Sequence, residues 1–207
     1  MNQEIQVFTQ KIMENLNMVF AMALDDQYEF ADAQARFREL VDLLIFYHCD
    51  EAAADQLCNF AKIAFFRGQY AAALSLLAEA AEKTPNEEKR GQMAQGLHDM
   101  AFQLLERGLQ GDAPDAQLLE LAEKQLTPGD YAAAMERARA NARKPEELAF
   151  VRRLAMEVLR QGIRLEQSQP EHALTLLRAA VPSLNAKRSA LVEQEIAALE
   201  RKLHGSA

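Results

Sequence analysis

Two helix-forming segments meet at Gly68-Gln69-Tyr70, inside the stretch Ala54 to Glu87, and Ala73, Leu77, Ala80 and Pro85 follow at fixed intervals. A glycine at such a break supplies the left-handed or tight-turn conformation that joins one helix to the next. Ala73 and Ala80 are small, so two backbones can approach closely, and Pro85 stops the second helix. The result is a helix–turn–helix unit of about 34 residues. Such a unit cannot cover its own apolar face, so it implies stacked neighbours. Stacked arrays of this kind usually bind other proteins, which points to a class of work without naming a ligand.

The rest of the chain reads as helices too, about ten in all. A first helix over 2–24 carries an apolar stripe of Ile5, Phe8, Ile12, Leu16, Val19 and Phe20 at three- and four-residue spacing. A second, over 28–47, carries Phe30, Phe37, Leu40, Leu44 and Ile45, and Asp50 is a candidate N-cap for the third. The clear pair spans 51–67 and 70–83, and Asn86 can cap a long helix over 87–109. Asp112-Ala113-Pro114 opens a shorter helix over 115–126. Gly129, Tyr131 and Ala134 then echo the spacing of Gly68, Tyr70 and Ala73, giving a degenerate unit over 115–148. A third pair over 148–182 replaces the glycine break with Ser168-Gln169-Pro170 and keeps Ala173, Leu177 and Ala180. A last helix, 186–203, with Leu191, Ile196, Leu199 and Leu203 on one side and charges on the other, suits a terminal cap. No Ser/Gly-rich linker interrupts the 207 residues, so one continuous array over 1–207 is expected.

Composition agrees with that class. Hydrophobic residues make up 49%, with only 6 Pro and 8 Gly, which argues against disorder and against a turn-rich β fold. No apolar run approaches the length of a membrane span, and the first residues lack the basic and apolar regions of a secretory signal. Cys49 and Cys58 cannot build a disulfide framework, so a reducing cytoplasm is the expected home. The net charge of −8 disfavours non-specific nucleic-acid binding. It is unevenly spread, however: 22 acidic and 10 basic residues up to Asp130, then 9 acidic and 13 basic. The basic C-terminal part could steer an acidic partner, or could be an ordinary solvated helix surface.

The residues Ala61, Gly68, Tyr70, Ala73, Leu77, Ala80 and Pro85 make Ala54–Glu87 resemble a tetratricopeptide repeat, with Leu57 standing where that family often has Trp. The likeness is partial over 115–148 and faint over 148–182, where Asn141 is polar at a packing position of the former. The two glycines Gly68 and Gly129 also lie 61 residues apart, off the repeat register. The resemblance implies a right-handed α–α superhelix of antiparallel helix pairs, whose inner surface is lined by the first helix of each pair. It places groove positions at Asp55, Cys58, Lys62, Phe65 and Phe66. The Phe65–Phe66 pair is also similar to the apolar groove of small tetratricopeptide chaperones of bacterial secretion systems.

Other constellations are weighed on their chemistry. Phe65 and Phe66 differ by about 100° around a helix, so both cannot face one core, and one is free to line a groove or meet a neighbouring helix. Arg153, Arg160 and Arg164 share a helix face, with Arg137, Arg139, Arg143 and Lys144 shortly before them. They form either a basic wall for an acidic peptide or one half of intramolecular pairs with Glu136, Glu146, Glu147 and Glu157. His48, Cys49, Asp50 and Asp55 crowd one junction without zinc-ligand spacing, so no metal site is expected. Neither a nucleophile elbow, a phosphate-cradling glycine loop nor a His-Glu-x-x-His motif occurs, so no catalytic residues and no cofactor are assigned.

The expected function is therefore a non-enzymatic adaptor or chaperone that holds a peptide or helix of a partner protein. Apolar anchors such as Phe65 or Phe66 would give affinity, and Arg153 and Arg160 charge selectivity. Two alternatives remain open. One is an oligomerising protein that forms a homodimer through its terminal helices; the other is a regulatory domain with a small ligand or acidic polymer between helices.

Overall fold

The structure is a computed structural model that describes residues 3–111 and 113–204, with the side chains of residues 3–5 left aside. Ile5 of the first stripe and Asp112 of the sixth-helix start therefore lie outside the described side chains. Among the described residues the chain is all-helical, with no strand. The helices are α1 (Gln3–Leu24), α2 (Phe30–Phe46), α3 (Asp50–Phe66), α4 (Tyr70–Lys83), α5 (Glu87–Gly108), α6 (Ala116–Glu123), α7 (Pro128–Asn141), α8 (Pro145–Leu165), α9 (Pro170–Ala180) and α10 (Ala186–His204), with a 3-10 turn over Val181–Ser183. The chain divides into two compact units, Met1–Ala101 and Phe102–Ala207, with the boundary inside α5. The sequence carries no linker there because the division follows from long-range contacts and not from local composition.

In the first unit, α3 and α4 form the tightest pair. Gly68 has φ +74°, and the chain closes the end of α3 with two reversed hydrogen bonds: the Gly68 N–H to the Phe65 carbonyl at 3.1 Å and the Gln69 N–H to the Ala64 carbonyl at 2.8 Å. This caps carbonyls that a helix end otherwise leaves unpaired. Ala61, Ala73, Leu77 and Ala80 are buried across this pair. The end of α2 repeats the arrangement with His48 at φ +57°, and the Cys49 N–H reaches the Leu44 carbonyl at 2.8 Å. Asp50, read as a cap, is instead the first residue of α3; no side chain caps that end. Asn86 does cap α5, its Oδ1 accepting from the Glu88 and Lys89 N–H groups at 3.0 and 3.2 Å.

The core of this unit is aromatic. Phe37 stacks on Phe60 with centroids 4.1 Å apart and planes 7° from parallel, while Phe20 and Phe30 pack against Phe60 at 6.0 and 5.5 Å. Each buried ring of this size removes enough apolar surface from water to contribute about 1.5–3 kcal/mol. Ile12, Leu16 and Val19 of the α1 stripe are buried in this same unit, while Phe8 stays partly exposed against Tyr47, centroids 4.9 Å apart.

In the second unit, α7 starts differently from α4. Thr127 accepts from the Asp130 N–H at 3.3 Å and Asp130 accepts from the Thr127 N–H at 2.7 Å, a reciprocal capping box. Pro128 opens the helix, so Gly129 lies inside its first turn and not in the turn before it, and it has no positive φ. Its spacing matches Gly68, but its job is different. Tyr131 and Met135 of α7 are buried, and Ala134 is partly exposed. The closest helix approach is between α8 and α9: a Cβ added to Gly162 would sit 2.9 Å from a Leu177 methyl carbon. In α10, Val192 and Leu199 face inward, whereas Leu191 is exposed and off the packed stripe.

Candidate functional site

The residues proposed from sequence fall in both units, Cys58, Lys62, Phe65 and Phe66 in the first and Arg153, Arg160 and Arg164 in the second. In the first unit, α3 presents Cys58 and Lys62 with partial and full exposure, turns Phe65 inward, and leaves Phe66 81% exposed. Phe65 packs edge-on against Tyr70, centroids 5.1 Å apart, so it belongs to the α3–α4 joint. Asp55, the remaining groove position, is held by Lys89 at 2.9 Å, and Glu51 takes the same ammonium at 2.9 Å. These hydrogen bonds, first from Glu51 and then from Asp55, keep the Lys89 ammonium above its ordinary pKa. Phe66 is thus the single predicted anchor that remains open.

In the second unit Arg153, Arg160 and Arg164 of α8 share a face, and each already has a partner. The Arg153 Nε donates to the Leu109 carbonyl at 2.6 Å. Arg160 grips Glu157 with two hydrogen bonds, 2.9 Å from Nε and 2.6 Å from a terminal nitrogen, and reaches Glu123 of α6 at 3.2 Å. Arg164 pairs with the other oxygen of Glu123, and the Gln161 amide donates to Glu157 at 2.9 Å. The basic wall is a paired network. Glu157 is buried, and three donors from Arg160 and Gln161 satisfy its oxygens. Burial pushes the Glu123 carboxyl up, but hydrogen bonds from Gln161 and Arg160 and the charge of Arg164 outweigh it and hold the group below its usual range. Tyr131 lies beneath, its hydroxyl buried with no hydrogen-bond partner. Burial first, and then the charges of Glu157 and Glu123, push that phenol well above its ordinary pKa. An orphaned buried hydroxyl costs about 1–3 kcal/mol.

Several clefts flank α8 among the described residues. One, of about 1000 Å³, is lined by the network just described, with Leu119 and Met156. A second, of about 480 Å³, has Phe102, Leu105, Phe150 and Leu154 in its walls, with Arg137 and Arg153 beside them. The Arg137 guanidinium lies 5.7 Å above the centre of the Phe102 ring, within cation–π range. Glu147 also lines this cleft, but it is engaged in starting α8: the N–H groups of Arg143 and Lys144 donate to it at 2.7 and 3.0 Å and lower its pKa. A third, of about 670 Å³, is lined by Arg139, Arg152 and Arg188 with Leu148, Met156 and Ser183.

No family model, no curated protein and no solved structure matches this chain. Among the described residues no three His, Cys, Asp or Glu side chains are grouped as a metal site would require, and no helix is long and apolar enough to cross a membrane.

Sequence reasoning passed over Arg152, Arg188 and Phe150. A signal for Arg152 was present. Neighbouring residues on a helix are about 100° apart, so Arg152 and Arg153 must leave α8 on different sides. Leu148, Arg152 and Met156 form one row at four-residue spacing, while Arg153, Glu157, Arg160 and Arg164 form another.

Proposed function

We propose that this chain is a non-enzymatic binding module of tetratricopeptide-like helical repeats, which holds a segment of a partner protein as an adaptor or chaperone does. The right-handed superhelix of antiparallel pairs is part of the same proposal, supported by the α3–α4 pair with its Gly68 turn and small packing residues. The observation that carries the binding reading is the cleft of about 480 Å³ in the second unit. Its Phe102, Leu105, Phe150 and Leu154 offer an apolar floor, and Arg137 and Arg153 border it. Aromatic anchors supply most of the energy at protein interfaces. An amphipathic segment with apolar anchors suits that lining, and its rim of Arg137 and Arg153 with Glu106, Glu146 and Glu147 offers partners to polar flanks of either charge.

The test uses peptides selected from a displayed random library against the wild-type protein. Ala138 lies in the cleft wall, and Ala138→Trp would plug it. Selected peptides should share apolar positions and lose at least about tenfold in affinity for Ala138→Trp, the equivalent of roughly 1.4 kcal/mol. Equal binding by a plugged protein that melts as the wild type does would remove the cleft from the proposal.

A second reading, self-association through the terminal helix, has its own observation. Leu191 of α10 and Ile163 of α8 are both more than half exposed and line one apolar cleft of about 360 Å³. Light scattering on Leu191→Lys decides it: an unchanged mass argues against this face as a subunit contact.

A further inference from the structure

The cleft lined by Arg139, Arg152 and Arg188 differs from its neighbours in charge. Among the described residues that line it there is no Asp or Glu. Arg139 and Arg152 make no ion pair or side-chain hydrogen bond among the described residues. Among the described residues the only side-chain hydrogen bond of Arg188 is to the Met156 sulfur, at 3.1 Å, and a thioether is a weak acceptor. Three guanidinium groups therefore face about 670 Å³ of open space with their donors largely unspent. Ser183, in the same wall, has a buried hydroxyl with no partner among the described residues. The 19-residue helix α10 begins beside it: Asn185 and Arg188 line the cleft, and the Asn185 side chain accepts from the Arg188 N–H at 3.0 Å. The positive end of that helix adds to the guanidinium field.

We propose that this cleft binds a phosphomonoester dianion. Three unneutralised positive charges exceed what one carboxylate would balance, and a phosphate presents three acceptor oxygens to forked donors. Carboxylates elsewhere in the same unit already occupy Arg160 and Arg164, whereas no described residue occupies Arg139 and Arg152. The apolar side chains of Leu148 and Met156, both partly open to solvent, give the rest of the ligand a surface to lie on. The same dianion could arrive as a free phosphate compound or on a phosphorylated side chain. The proposal stands apart from the aromatic cleft and does not depend on it.

Titration calorimetry on the full chain tests it with four probes: inorganic phosphate, a short phosphoserine peptide, the same peptide unphosphorylated, and the same peptide with Glu in place of phosphoserine. Saturable binding of phosphate, of the phosphopeptide, or of both is expected, with at least about tenfold loss in Arg139→Gln and in Arg152→Gln, as for a charge-assisted hydrogen bond. Arg164→Gln, in the paired network, should bind as the wild type does. Binding of inorganic phosphate points to a small phosphate compound; binding of the phosphopeptide alone points to a phosphorylated segment. Three outcomes overturn the proposal: no saturable binding of either phosphate probe, equal binding of the Glu peptide, or binding indifferent to both Arg139→Gln and Arg152→Gln. Arg139 and Arg152 are not in the buried core, so their variants should fold, and an unchanged circular dichroism melt confirms that each result reports the cleft.

Discussion

Two arginine clusters border α8, one gathering Arg152 with Arg139 of α7 and Arg188 of α10, the other holding Arg160 and Arg164, and the protein treats them in opposite ways. Arg160 and Arg164 are consumed by Glu157 and Glu123, with Gln161 completing the set. Arg139, Arg152 and Arg188 line a cleft with no acid in its described lining. The first cluster consists of charges placed to hold helices together; the second consists of charges held in reserve. The lesson is that a basic residue count says nothing about availability. What matters is whether a carboxylate from another helix arrives at the same place.

The largest expected effect comes from a change that spares neither cluster. Gly162 lies on α8 between Leu176 and Leu177, so Gly162→Val would wedge the two helices apart and cost about 3 kcal/mol by overpacking. Urea unfolding measures it, and a loss below about 0.5 kcal/mol would mean that α8 and α9 do not pack this closely. Next, Glu157→Ala would strip the paired cluster of its buried acceptor and cost about 2 kcal/mol. That lies below the usual range for a buried pair because Arg160 can turn to solvent. Arg152→Ala, from the unpaired cluster, should stay within about 0.5 kcal/mol of wild type. Equal losses at the two positions would erase the contrast.

Acid should act on the paired cluster too. The Glu123 carboxyl is depressed in the folded chain relative to an unfolded value of about 4.3. Its contribution is present above that value and is lost as pH falls through the lower, folded pKa. Stability measured from pH 7 down to pH 3 should therefore drop less steeply in Glu123→Gln than in wild type. Parallel curves would show that the pairing carries no net stability. The smallest effect is expected at Phe66: with 81% of it in solvent, Phe66→Ser should leave the melting temperature unchanged within about 1 °C.

The sequence made the helices and one joint legible because those depend on neighbours in the chain. Gly68 needs only its own left-handed backbone, and the bond from Gln69 to Ala64 spans five residues. Glu157 and Arg160, three apart on a helix, were equally readable. Glu123 was not, because it meets Arg160 and Arg164 from 37 and 41 residues away. The adjacent Phe65 and Phe66 had to diverge by helix geometry, but which one turned inward depends on the phase at which α3 meets α4. Gly129 was misleading for a related reason: Pro128 and the Thr127–Asp130 box start α7 three residues earlier than the glycine spacing suggests. The division at Ala101 has no compositional trace, since it falls inside an unbroken helix.

The ends of α2 and α3 close with the same pair of reversed hydrogen bonds, yet one uses Gly68 and the other His48. A side chain at φ +57° works against the handedness of its own Cα, at about 1 kcal/mol. The chain therefore carries an unused mutational reserve at position 48. A single replacement by glycine could offset a damaging change elsewhere in the first unit, giving that half of the protein more room to drift while keeping its fold.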